Sequence, residues 1–246
     1  MILPQPWLAI DIETVAGRPE DVERYLRMHF TPAGNMKTPE AIGRRWLEWR
    51  EEKREKAGLL DQARVIVVSL TSLEETRALH CLREEPLHAH PDGLGWIEGF
   101  ASRREMLLAL RVGLDALVGP ETLLVGHNVK SFDLVKLRWS YLHEQLRLPQ
   151  ALVAEQPLFD TMREYGRRYS MVERPFVALA DLLEEFRLEN HKGELDGSRI
   201  QEFYDAGRFD EIVTYALKDA AVEAQLYLRM TGQVEDAPEP GAEGLA

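Results

Sequence analysis

The chain has 246 residues, 45% of them hydrophobic, and a formal net charge of −12. That is enough apolar material for one sizeable core, while the acidic balance counts against a simple basic-faced binder of polyanions. A single cysteine, Cys81, excludes an internal disulfide and any C-x-x-C pair for zinc or redox work.

No apolar run reaches the roughly 18 residues of a membrane span, and MILPQPW lacks the basic and apolar regions of a signal sequence. A soluble, cytoplasmic protein with no membrane partner is expected. The acidic charge is unevenly spread. VEDAPEPGAEGLA carries Glu235, Asp236, Glu239 and Glu243 and no base, so residues 233–246 are expected to form a disordered tail behind one domain, 1–232. Cations held by a carboxylate site would offset part of the remainder.

In chain order, Trp7 to Ile12 (WLAIDI) reads as a buried strand. A charged helical insertion, about 16–60, follows. Within it Thr38-Pro39-Glu40 looks like a helix start, with Ile42, Trp46 and Trp49 on the apolar side, the tryptophans packing rather than offering a platform for bases. ARVIVVSLTSL and TRALHCL, separated by Glu74-Glu75, predict an antiparallel hairpin. Pro86 to Gly95 reads as a loop, with His88 and His90 on the surface and no third ligand nearby. Arg103 to Val118 predicts an amphipathic helix stopped by Gly119-Pro120, and ETLLVGHN another strand. Helices are expected around 131–147, 176–187, 198–206 and 208–230. Strands followed by packed helices predict an α/β domain with a mixed sheet flanked by helices, and a ribonuclease H-like fold is the specific expectation.

Three places carry chemistry. In LAIDIETV, alternation puts Asp11 and Glu13 on one face of the strand, where two anions repel unless protonated or bridged by a cation; a solvated strand end is the plainer reading. In LLVGHNVKSFDLVKL, His127 and Asn128 sit at the strand end, and Ser131 is a candidate helix cap. Asp133 falls in the first turn of that helix, where the dipole favours an acid whatever its role. In EIVTYALKDAAVEAQLYL, Asp219 interrupts an apolar stripe formed by Ile212, Tyr215, Val222 and Leu226, and a carboxylate there needs an arginine or a metal. Elsewhere, MREYGRRYSMVERPF mixes Arg163, Arg167, Arg168 and Arg174 with Tyr165, Tyr169 and Phe176. This suits phosphate contact and base stacking, or equally a solvated helix end. Asp160 reads as a turn or cap residue.

The order D-x-E (Asp11, Glu13), N-x-x-x-F-D (Asn128, Phe132, Asp133), Y-x-x-x-D (Tyr215, Asp219) resembles that of the DEDD 3′→5′ exonucleases. The strings are most similar to stand-alone proteins related to the exonuclease domain of B-family DNA polymerases, over roughly residues 7–230. Thr214 stands where the histidine subgroup has its histidine, so the tyrosine subgroup fits. Alanine at position 216 departs from the cysteine or asparagine often found after the tyrosine, and no polymerase region accompanies the motifs.

The resemblance implies two divalent cations, Mg2+ or Mn2+, held by Asp11, Glu13, Asp133 and Asp219. In it Asp11 bridges both ions, Glu13 and Asp219 complete one site, and Asp133 acts through water or on the second ion. It also implies a water-orienting role for Tyr215 and substrate contacts from Thr14, Asn128 and Phe132. The expected partner is a nucleic acid, most readily single-stranded DNA. An RNA-directed exonuclease of the same fold and a nucleic-acid-binding module with an inactive site are the alternatives.

Overall fold

The computed structural model describes residues 5–55, 62–153, 155–170, 176–190 and 193–233. The strand read at Trp7–Ile12 runs on to form β1 (Trp7–Val15), because Glu13, Thr14 and Val15 stay buried. Two helices follow, α1 (Pro19–His29) and α2 (Pro39–Glu55). The first was not singled out within the helical insertion expected there. Its apolar residues are few, but Pro19 at the start and Glu20 and Asp21 in the first turn are helix-start signals that could have marked it. Thr38 accepts the Ala41 N–H at 3.3 Å at the start of α2, as its Thr-Pro-Glu opening suggests. The two helices share a small core of Val22, Leu26, Tyr25, Trp46 and Trp49, with Phe30 edge-on to Trp46, so both tryptophans pack within the insertion.

The hairpin forms as expected from β2 (Arg64–Thr71) and β3 (Thr76–His80), Thr71 facing Thr76. The loop predicted at Pro86–Gly95 is instead partly strand: β4 (Glu85–Ala89) pairs antiparallel with β5 (Trp96–Gly99). Proline suggests a break, yet an edge strand tolerates it, and β4 is an edge with an irregular register between Glu85 and His88. His90 also departs from expectation: it is buried, with Nε2 2.9 Å from the Thr214 hydroxyl.

The helix α3 (Arg103–Leu117) is capped by Ser102, which accepts the Glu105 N–H. Then come β6 (Leu123–Gly126), α4 (Asp133–His143) and α5 (Gln150–Val153). The α4 cap is a correction: Phe132, not Ser131, is the N-cap residue, and the helix stops at His143, short of 147. A three-residue strand too short to show any periodicity, β7 (Leu158–Asp160), leads into α6 (Thr161–Arg168). The remaining helices are α7 (Leu179–Glu185), a 3-10 turn at Gly197–Arg199 with α8 (Ile200–Asp205), and α9 (Phe209–Thr231). Gly232, at φ 68°, terminates α9.

The seven strands make one mixed sheet, ordered β4-β5-β3-β2-β1-β6-β7. Its β3-β2-β1-β6-β7 portion is an antiparallel meander continued by two strands parallel to β1, compatible with a ribonuclease H-like fold. Leu8, Ile10 and Ile12 point to one side and pack on α3, α4 and α5. Trp7 and Ala9 point to the other, under α7 and the second half of α9, while Val15 and Ile66 lie under α8 and its first half. Helices therefore cover both faces, and α9 runs along the one that carries Asp11 and Glu13. Among the described residues no helix is long and apolar enough to cross a membrane.

Candidate metal centre

The site forms where β1 outruns its parallel neighbour. β6 pairs only with Trp7 to Ala9, so beyond Ala9 the β1 backbone lacks a partner strand on that side. Asp133, the first residue of α4, fills part of the gap: its Oδ1 accepts the Ile12 N–H at 3.2 Å. On the other side β2 continues to pair, with Ser69 opposite Asp11 and Val67 opposite Glu13. A bulge between Glu13 and Thr14 leaves Ile66 as an extra residue on β2, re-aiming the strands beside the acids. Gly126, at the end of β6, must be small. A Cβ there would stand 2.7 Å from the Val129 Cβ and 2.9 Å from the Ile10 carbonyl oxygen.

From above, α9 presents Tyr215, Asp219 and Glu223, four residues apart and therefore on one stripe, all buried. Asp11, Glu13 and Asp219 each offer a carboxylate oxygen within 4.8 Å of the others, a group that can hold a metal ion. That spread is close to twice the ~2.1 Å bond of a magnesium ion, and an all-oxygen donor set suits a hard divalent cation. The Oδ2 of Asp11 is buried with no hydrogen-bond partner among the described residues, and so is the hydroxyl of Ser69 opposite it. A cation answers such an orphaned anionic oxygen, and the residues fit one.

The electrostatics of the cluster point the same way. Burial, followed by repulsion from Glu223, Glu13, Asp133 and Asp219, holds the Asp11 carboxyl well above the usual range. Burial pushes Asp133 up to about 8, against the hydrogen bonds it accepts from backbone N–H groups. Glu223 is likewise raised, by burial and then by Asp133 and Asp219. Tyr215 is hydrogen-bonded to the Asp219 side chain, and burial beside these acids pushes its phenol up, so it stays protonated and donates.

Of the residues expected at the site, Asp11, Glu13 and Asp219 form the tight group. Asp133 stands next to Asp11 but outside that group, engaged with Ile12. Thr14 is buried beside the bulge. Asn128, at φ 58°, turns the loop between β6 and α4, and its carbonyl accepts the Ser131 and Phe132 N–H groups. Phe132 packs against the core, with the Lys136 ammonium 5.6 Å from its ring centre.

Asp160 caps α6, as anticipated, and also accepts the Asn128 and Lys130 N–H groups, so it fixes the loop bearing Asn128. His127 lies at the strand end, its Nδ1 3.0 Å from the Thr161 hydroxyl. The arginine-aromatic segment is largely occupied within the fold: Arg167 and Arg168 pair with Glu164, and Tyr165 and Tyr169 pack with Phe186. Arg163 alone reaches the site's loop, donating to the Ser131 hydroxyl at 2.7 Å; Arg174 lies outside the described residues.

A cavity of about 420 Å³ lies elsewhere, lined by Arg18, Arg64 and Arg103 among others. Arg18 is paired with Asp21, and Arg103 with Glu144 at 2.5 Å. Two residues beside the acids, Ser69 and Glu223, were not singled out in the sequence. For Glu223 the four-residue spacing from Asp219 was the available signal, masked by the apolar stripe through Val222 and Leu226. No family model and no curated protein matches the chain.

Proposed function

We propose that the protein is a metal-dependent 3′→5′ exonuclease that hydrolyses phosphodiester bonds at the ends of single-stranded DNA. The observation that carries this reading is the convergence of Asp11, Glu13 and Asp219 under α9, with their oxygens within 4.8 Å, Glu13 and Asp219 buried and Asp11 half-buried. The three motifs that resemble those of the DEDD exonucleases support it from the sequence side. Two divalent cations, magnesium or manganese, would supply a hydroxide at neutral pH and neutralise charge on the transferring phosphate.

The chain's own residues do the rest. Asp11, Glu13 and Asp219 are the ligands of the first ion, and repulsion at Asp11 keeps the group poised to take up positive charge. The Tyr215 phenol donates to Asp219 and fixes its orientation, the part an outer-shell partner plays. Asp133 ties the start of α4 to β1 and stands beside Asp11, where it acts on the second ion. The loop from Asn128 to Phe132, held by Asp160, borders the carboxylates and is the surface on which a 3′-terminal nucleotide would rest.

Oligonucleotides labelled at the 5′ end test the reading. With Mn2+ or Mg2+, single-stranded DNA should shorten to a ladder faster than RNA of the same sequence, and a chelator should stop it. Cleavage confined to RNA would transfer the reading to the RNA-directed alternative. Binding of DNA and RNA with degradation of neither would favour a non-catalytic module.

A further inference from the structure

A fifth carboxylate stands among the acids of this site. Glu223 is 3% exposed, one helical turn beyond Asp219 on the same stripe of α9. Its carboxylate accepts the His127 backbone N–H, which ties α9 to the end of β6, but Oε2 is buried with no hydrogen-bond partner among the described residues. The charged groups that act on it most strongly are acids. Glu223 repels Asp11 more strongly than Glu13, Asp133 or Asp219 does, and is itself repelled by Asp133 and Asp219.

A buried acid kept for structure alone would be matched by an arginine or by further N–H donors, because an uncompensated carboxylate is expensive to bury. Here Glu223 and Asp11 each keep one open oxygen and repel each other, and the neighbouring Asp133 has its Oδ1 taken by the Ile12 N–H. A cation is the partner that satisfies such a set.

We propose that Glu223 is a metal ligand, holding a second divalent ion with Asp11 and Asp133 beside the one held by Asp11, Glu13 and Asp219. The centre then has five carboxylates. Among the described residues only the first trio brings its oxygens within 4.8 Å, so the Glu223 ion is the weaker of the two and keeps more of its water. This rests on the metal-dependent reading of the site, and the test separates the two.

Manganese alone is titrated into the full chain, followed by calorimetry and by the electron-spin signal of free Mn2+, with no nucleic acid present. The wild-type protein should bind two ions in a tight and a weak class. Glu223→Gln keeps an acceptor for the His127 N–H and removes a buried charge, so it should fold with an unchanged circular dichroism spectrum. It should retain the tight class and weaken the other at least about tenfold. Asp219→Asn should do the opposite. Glu223→Asp, charged but shorter, should bind the weak ion with intermediate affinity. If Glu223→Gln binds both ions as the wild type does, Glu223 is not a ligand, while the metal-dependent reading stands. If the wild type binds no Mn2+, that reading falls and takes Glu223 with it.

Discussion

Asp11 carries a heavy electrostatic burden, with four acids around it and a buried oxygen that nothing donates to among the described residues. Asp11→Asn should therefore separate function from stability. Activity in saturating Mn2+ should fall by more than about a hundredfold, since a ligand shared by the centre is gone. The cation-free protein should nevertheless melt at a higher temperature, because the repulsion is relieved. A variant that was both less active and markedly less stable would point to a packing role. Tyr215 separates two readings of its own position. The motif implies a water-orienting phenol, whereas in the structure that phenol is hydrogen-bonded to Asp219. If it orients the ligand, Tyr215→Phe should lose about 10- to 100-fold in rate at limiting Mn2+ and recover much of it at high Mn2+. A loss that excess Mn2+ does not alter would return the tyrosine to the attacking water.

At the scale of elements, the close approach of β6 to β1 sets the depth of the site. Gly126→Ala should destabilise the fold by about 1–3 kcal/mol, because the nearest atoms are the Val129 Cβ and a backbone oxygen of β1, and neither can swing away. Chemical denaturation would measure this, and an unaffected midpoint would mean that the loop relaxes freely. Much of the architecture was legible for the same reason that this glycine matters: strong local patterns. The alternating β1, the β-branched β2, the capped α3 and the long apolar stripe of α9 all specify themselves within a few residues. What escaped was held by tertiary context. α1 has only a narrow apolar stripe and is stabilised by packing on α2; β4 contains a proline tolerated at an edge; β7 has three residues and exists through its pairing with β6. In the site, Asp11, Glu13 and Asp219 were visible as motif spacing. Glu223 and Ser69 were not, since one hides in a helical apolar stripe and the other faces Asp11 only through the register of β2.

For the molecule as a whole, the cluster sets how stability responds to pH and cations. Asp133 ionises at about 8 in the fold against an ordinary 3.8, and Asp11 and Glu223 move in the same direction. A raised carboxyl pKa gives stability that is full below the ordinary value and is lost as pH rises through the folded one. The melting temperature of the cation-free protein should therefore fall as pH is taken from about 4 to beyond about 8, the window those values set. Saturating Mn2+ should remove most of that fall, because the ion binds and stabilises the ionised form. A rise in melting temperature over the same range without cations would contradict the buried-acid account. The most direct test of the central claim is the single-turnover rate of degradation of a 5′-labelled single-stranded DNA, measured against Mn2+ concentration for the wild type, Asp11→Asn and Asp219→Asn. The wild-type rate should climb from zero as the centre fills, and both variants should stay near the chelated baseline. A wild-type rate indifferent to chelation, or either variant matching the parent at saturating Mn2+, would contradict a nuclease built on these carboxylates.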